Sequence, residues 1–147
     1  MKLKLFMGVP AALAISLILA STNVAKADVV PISSNFQPDP LVVNGTSGGN
    51  RESDCGNIST QPNQVLKITE ALPYLRLTVE SSGKPTLLIN GPGGRFCVLA
   101  DNYSGGKPEI SGFWQPGEYS LYVGDLSKGQ HNYTLSISQQ KLTKNIK

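Results

Sequence analysis

Apolar and polar side chains alternate in short runs over the second half of the chain. In Gln64–Thr69, Leu66 and Ile68 stand apart from Lys67 and Thr69; in Tyr74–Glu80, Leu75, Leu77 and Val79 alternate with Arg76, Thr78 and Glu80. Glu118–Val123 sets Tyr119, Leu121 and Val123 against Ser120 and Tyr122, and Asn132–Ser138 turns Tyr133, Leu135 and Ile137 the same way. A period of two with one apolar face marks a half-buried strand. Thr86–Asn90, Arg95–Ala100 and Ile110–Trp114 add three more β-type runs. Ser81–Lys84, Gly91-Pro92-Gly93-Gly94, Gln115-Pro116-Gly117 and Gly124–Gln130 read as turns, and Asp101–Pro108 as a longer polar loop. No helical period appears. The pattern predicts an all-β chain, a single antiparallel β-sandwich of jelly-roll type with about seven or eight strands.

Upstream the pattern weakens. Asp28–Asn50 carries Pro31, Pro38 and Pro40, which lack a ladder donor, and Gly45, Gly48 and Gly49, which favour turns. Only Leu41-Val42-Val43 reads as strand, so residues 28–48 are expected to be an extended lead-in and 49–140 the sandwich domain. Arg51–Asn63 reads as a polar loop holding Cys55, and 141–147 as a solvated basic tail with Lys141, Lys144 and Lys147.

The amino end changes the compartment. Lys2 and Lys4 precede an apolar run from Val9 to Ala20, and Ala25-Lys26-Ala27 supplies the small residues that a signal peptidase reads. The apolar run is shorter than the roughly 20 residues that span a bilayer. Residues 1–27 are therefore expected to be a cleaved signal peptide, leaving a secreted or periplasmic chain with no membrane span. The leader holds three of the thirteen basic residues and none of the ten acidic ones, so the mature chain carries ten of each and no formal net charge. That removes the premise for nucleic-acid binding through a basic surface.

Cys55 and Cys97 are the two cysteines. In an exported chain an isolated pair is expected to be a disulfide, the rival reading being two buried thiols. Closing that loop contributes roughly 4 kcal/mol in the chain-entropy account.

Candidate chemistry is sparse. His131, the single histidine, precedes the last strand as an exposed turn residue, and Ser104, Ser111 and Ser127 lie in no nucleophile-elbow pattern. One histidine and two paired cysteines cannot supply a zinc site. Asp101, Asn102 and Glu109 around the middle loop are the one oxygen-rich set from which a calcium site could be built. Among the aromatics, Phe113 and Trp114 must face opposite ways. Tyr103, Trp114 and Tyr122 are the candidate ligand contacts, suited to stacking on a sugar or anchoring a protein, although a large ring such as Trp114 also suits the core between the sheets.

The succession of Thr86-Leu87-Leu88-Ile89, Gly91-Pro92-Gly93, Cys97, Asp101-Asn102, Pro116-Gly117-Glu118-Tyr119, Tyr122-Val123-Gly124 and Tyr133–Ile137 resembles the bacterial pre-peptidase C-terminal domain. It is especially similar to a Cys-containing branch found in small secreted bacterial proteins, in which a Cys-Gly near the start (here Cys55-Gly56) and a mid-strand Cys (Cys97) recur. The resemblance covers roughly residues 49 to 138. It implies a non-catalytic β-sandwich, associated elsewhere with secretion, processing or substrate binding; some relatives bind calcium or collagen. Asp101-Asn102 stands where relatives tend to carry two acidic residues, and no stretch of this sequence reads as a protease domain. The expected function is a secreted binding module for an envelope glycan or protein, with an accessory role to another exported protein as the alternative and a small hydrolase the last.

Overall fold

The computed structural model describes Gly8, residues 27–101 and residues 105–142. Residues 1–7 and 9–26, where the signal peptide is expected, Asn102, Tyr103, Ser104 and the last five residues lie outside them. Among the described residues there are eleven strands and no helix. Seven strands form one sheet: β1 (Val29–Ile32), β3 (Arg51–Ser53), β4 (Gly56–Ile58), β5 (Gln64–Ile68), β7 (Pro85–Gly91), β8 (Gly94–Leu99) and β10 (Gly117–Asp125). Four form the other, in the order β2 (Leu41–Thr46), β11 (Asn132–Ser138), β6 (Leu72–Ser81), β9 (Glu109–Trp114).

Strand β10 organises the larger sheet. One of its edges pairs with β5 (Tyr119 opposite Leu66) and, at its far end, with β4 (Asp125 opposite Asn57); the other pairs with β7 (Leu121 opposite Ile89). In the smaller sheet β11 lies between β2 and β6, with Leu135 opposite both Val43 and Val79. These registers bring the alternating apolar sets to the inner faces. Leu66, Ile68, Leu87, Ile89, Tyr119, Leu121 and Val123 meet Leu75, Leu77, Val79, Tyr133, Leu135 and Ile137 in one core, most of them fully buried. The runs read as strands from alternation recur as β5, β6, β10 and β11 with the faces expected.

Three features depart from the expectation. Residues of the lead-in belong to the sandwich: β1 pairs with β5, Val29 beside Val65 through Ile32 beside Ile68, and Ile32 is in the core. That pairing is parallel, so the larger sheet is mixed. Pro31 is tolerated there because β1 is an edge strand with one side free of ladder partners. The polar stretch after residue 50 is a hairpin, β3–β4, closed at Ser53 and Gly56. Its order comes from tertiary contacts. Cys55 is bonded to Cys97 on β8 (Cα–Cα 5.6 Å), and Cys55, Ile58, Leu88 and Tyr122 form a small second cluster. The strand count is accordingly higher than the alternation alone indicated.

Candidate functional site

Two places in the fold concentrate side chains of chemical interest. The first is the loop after β10. Asp125 is fully buried. Its Oδ1 accepts hydrogen bonds from the Ser127 amide (2.8 Å) and hydroxyl (2.5 Å). Its Oδ2 accepts from the Lys84 amide (3.2 Å) and faces His131 Nδ1 at 3.0 Å. An ionised carboxylate only accepts, so Nδ1 is the donor in that contact. Burial on its own would raise the Asp125 carboxyl; hydrogen bonds from the Ser127 hydroxyl and amide, the Lys84 amide and His131 outweigh it and hold the group below its ordinary value of 3.8. A Cβ at Gly83 would collide with this carboxylate and the His131 ring, which is why the turn after β6 has no side chain there.

His131, Asp125 and a serine are thus together, but not as a hydrolase needs them. In a triad the imidazole lies between acid and hydroxyl and takes the hydroxyl proton. Here the carboxylate is at the centre, and Ser127 Oγ donates to Asp125 instead of to His131. The group acts as a clamp that ties the β6–β7 turn to the β10–β11 loop. It also corrects the reading of His131 as an exposed turn residue: the ring is one-third exposed and bonded to a buried acid.

The second place is the flank where β8 and β9, edge strands of opposite sheets, lie beside each other. A cleft of about 430 Å³ opens between them, walled by Ile89, Phe96, Ile110, Phe113, Trp114 and Tyr119, with Gly93, Ser111, Gly112 and Gln115 completing it. Its origin lies in the alternation along β9. Ile110, Gly112 and Trp114 share the inner face, and the middle one lacks a side chain; a Cβ built on Gly112 meets nothing within 4 Å. The hollow is therefore a missing side chain in an inward row. Across it Phe96 is 49% exposed, and on the outer face of β9 Phe113 is 66% exposed. With Leu99, three of the seven large exposed hydrophobic residues among those described are on these two strands, a concentration and not a scatter.

The indole and phenol donors of the cleft wall are already used. Trp114 Nε1–H donates to the Leu75 carbonyl (3.2 Å), and the Tyr119 hydroxyl donates to the Gln115 carbonyl (2.8 Å). The two rings pack edge to face, centroids 4.8 Å apart. What the wall presents is mostly apolar surface, with Ser111 and Gln115 as its polar members.

The candidate contacts named from sequence divide accordingly. Trp114 is only 6% exposed, so its ring is a core element that shows one edge to the cleft and not a free stacking platform. Tyr122 is half-buried against Cys55, Ile58 and Leu88 on the outer face of the larger sheet, away from the cleft. Tyr103 lies outside the described residues. Phe113 does face away from Trp114, as alternation requires. Phe96 and Gly112 were missed, since the exposure of β8 on both faces and the gap in β9 arise only when the two edges come together.

Of the oxygen-rich set, Asn102 lies outside the described residues. Glu109 accepts a hydrogen bond from the Thr78 hydroxyl (2.9 Å) and forms an ion pair with Arg76 (3.5 Å). Asp101 is exposed, and its carbonyl accepts from the Gly106 amide (2.9 Å). Among the described residues no group of three or more His, Cys, Asp or Glu is gathered as a metal site.

Comparison with known proteins defines the class by its fold. The pre-peptidase C-terminal domain of a Bacillus anthracis collagenase matches 78% of this chain and 98% of its own, at 17% identity and a TM-score of 0.50. The architecture is thus that of a pre-peptidase C-terminal β-sandwich. A periplasmic inhibitor of g-type lysozyme from Salmonella Typhimurium aligns over 74% of this chain and 96% of its own, at 16% identity and a TM-score of 0.40. No family model matches the chain. An uncharacterized protein of Synechococcus elongatus is 41% identical over 120 residues, 79% of this chain and 86% of the relative. The chain belongs to the same family as that cyanobacterial protein.

Proposed function

We propose that the protein is an exported, non-catalytic binding module of the Cys-containing pre-peptidase C-terminal type, and that it takes an apolar side chain of another exported protein into the β8/β9 cleft. The observation that carries this reading is the cleft itself: a hollow over Gly112, flanked by two exposed phenylalanines, whose Trp and Tyr donors are satisfied internally. A sugar ring requires converging polar partners as well as a face to stack on. These walls suit an aliphatic or aromatic group better, which favours a protein ligand over an envelope glycan. Export is supported by the leader pattern of residues 1–27 and by the Cys55–Cys97 disulfide, a bond that persists in oxidising compartments. The non-catalytic reading is supported by the clamp at Asp125, which consumes the one histidine and its neighbouring serine.

Titration of the labelled protein with N-acetyl-phenylalanine amide, and separately with N-acetylglucosamine oligomers, tests this by amide NMR. The first compound is expected to shift the signals of Phe96 and Ile110–Trp114, and the second to leave them in place. Shifts with the sugar alone would transfer the site to a glycan.

A further inference from the structure

The two lips of the cleft are backbone edges as well as apolar walls. Among the described residues, strand β8 pairs with β7 alone and β9 with β6 alone. Proteins commonly guard such edges with proline, charge or a covering segment, because an unpaired row of N–H and C=O groups is a template for another strand. The other edges of this sandwich show those guards: Pro31 on β1, Arg51 and Glu52 on β3, and the poor strand formers Asn44-Gly45 on β2. Strand β8 carries Arg95, ion-paired with Asp54, and is tethered through Cys97. Strand β9 has a charge only at its first residue, Glu109, which is ion-paired with Arg76, and a register shift against β6 between Leu72 and Leu75; over Ile110–Trp114 it has neither charge nor proline.

We infer that the ligand is an extended segment of a second polypeptide, which adds as a strand to the free edge of β9 and lays one apolar side chain across Gly112 towards Phe96. The inference rests on the cleft being the binding site. A strand added beside β9 would lie about 4.8 Å away, with every second side chain pointing to the inner face. The inward row there runs Ile110, Gly112, Trp114, so the neighbour of Gly112 meets no opposing side chain and can fill the hollow. The residues next to it along the added strand point to the outer face, where Phe113 is available for a cross-strand apolar pair. Main-chain bonds supply affinity and the alternate pocket supplies selectivity, the usual division in strand addition. The expected ligand alternates apolar residues, with Phe, Leu or Met at the inward position.

A displayed library of short random peptides, selected on the purified protein, provides the probes. Enriched peptides should alternate in this way and lose binding to the F96D and F113D variants, whose changes fall on exposed positions and should leave the thermal midpoint nearly unmoved. N-methylation of the amides that face β9 should weaken binding roughly tenfold, the equivalent of one or two hydrogen bonds, while methylation of the intervening amides should not. The Ser111 and Phe113 region should gain hydrogen-exchange protection in the complex. If F96D and F113D abolish binding but no methylation pattern weakens it, strand addition is wrong and the cleft stands as a side-chain pocket. If neither variant matters, or no peptide is enriched, the inference fails; the titration with N-acetyl-phenylalanine amide then decides the cleft separately.

Discussion

The clamp around Asp125 and the flank between β8 and β9 are built on opposite rules. At the clamp both oxygens of the Asp125 carboxylate have partners, the acid is fully buried, and glycine is required at position 83 because a side chain would collide. At the flank the glycine at position 112 leaves space, and Phe96 and Phe113 remain half or more exposed with no core to cover them. The first region closes the sandwich on itself. The second leaves apolar surface open to solvent, and that contrast is why the proposed binding site is placed at the flank and not at the clamp. A search for catalysis by residue type alone would have chosen the wrong one, since the clamp holds the histidine, the serine and the acid.

The largest effect should come from breaking the clamp. Asp125→Ala strips the partner from the Lys84 and Ser127 amides and from His131, and should destabilise the protein by roughly 3–5 kcal/mol, read from the denaturation midpoint. An unchanged midpoint would show the cluster to be incidental. Replacing Cys55 and Cys97 together with serine should cost about 2–4 kcal/mol and should also weaken binding of N-acetyl-phenylalanine amide, because β8 carries the Phe96 wall. Acid should act more gently. The Asp125 carboxyl is lowered from 3.8 in the folded state, so its contribution is complete above that value and is lost as the pH falls through the lower folded one. Asp125→Asn should abolish that part of the acid dependence; Asp54 and Glu70, also lowered, remain in both proteins as the common background. The smallest effect belongs to the flank. Phe113→Ser should change stability by less than about 0.5 kcal/mol while removing ligand binding, and a large loss of stability would place Phe113 with the core instead.

Much of the sandwich was legible in the sequence, and the reason is local. In β5, β6, β10 and β11 one face is buried, so Leu66, Leu77, Leu121 and Leu135 announce it by alternation. The β3–β4 hairpin was not legible because its stretch, RESDCGNI, is polar; it is held by Asn57 Nδ2 donating to the carbonyls of Asp125 (3.3 Å) and Ser127 (3.0 Å), and by the disulfide. Those partners lie far along the chain and no period encodes them. Strand β1 was hidden by Pro31, whose placement on an edge makes its missing donor harmless. At the site, alternation separated Phe113 from Trp114. Phe96 escaped because Arg95–Ala100 reads as an ordinary apolar strand, and only the assembled sheets show it at an uncovered margin.

The bond from Cys55 to Cys97 has a mechanical consequence for the proposed cleft. Tension applied through a captured segment reaches the outermost strands first, and a ladder at a margin unzips one rung after another under such a pull. Strand β9 has only its ladder with β6 to resist such a pull. The facing lip, β8, is covalently joined to the β3–β4 hairpin, and β4 abuts β10 in the middle of its layer, so the Phe96 side of the cleft stays fixed while the β9 side gives.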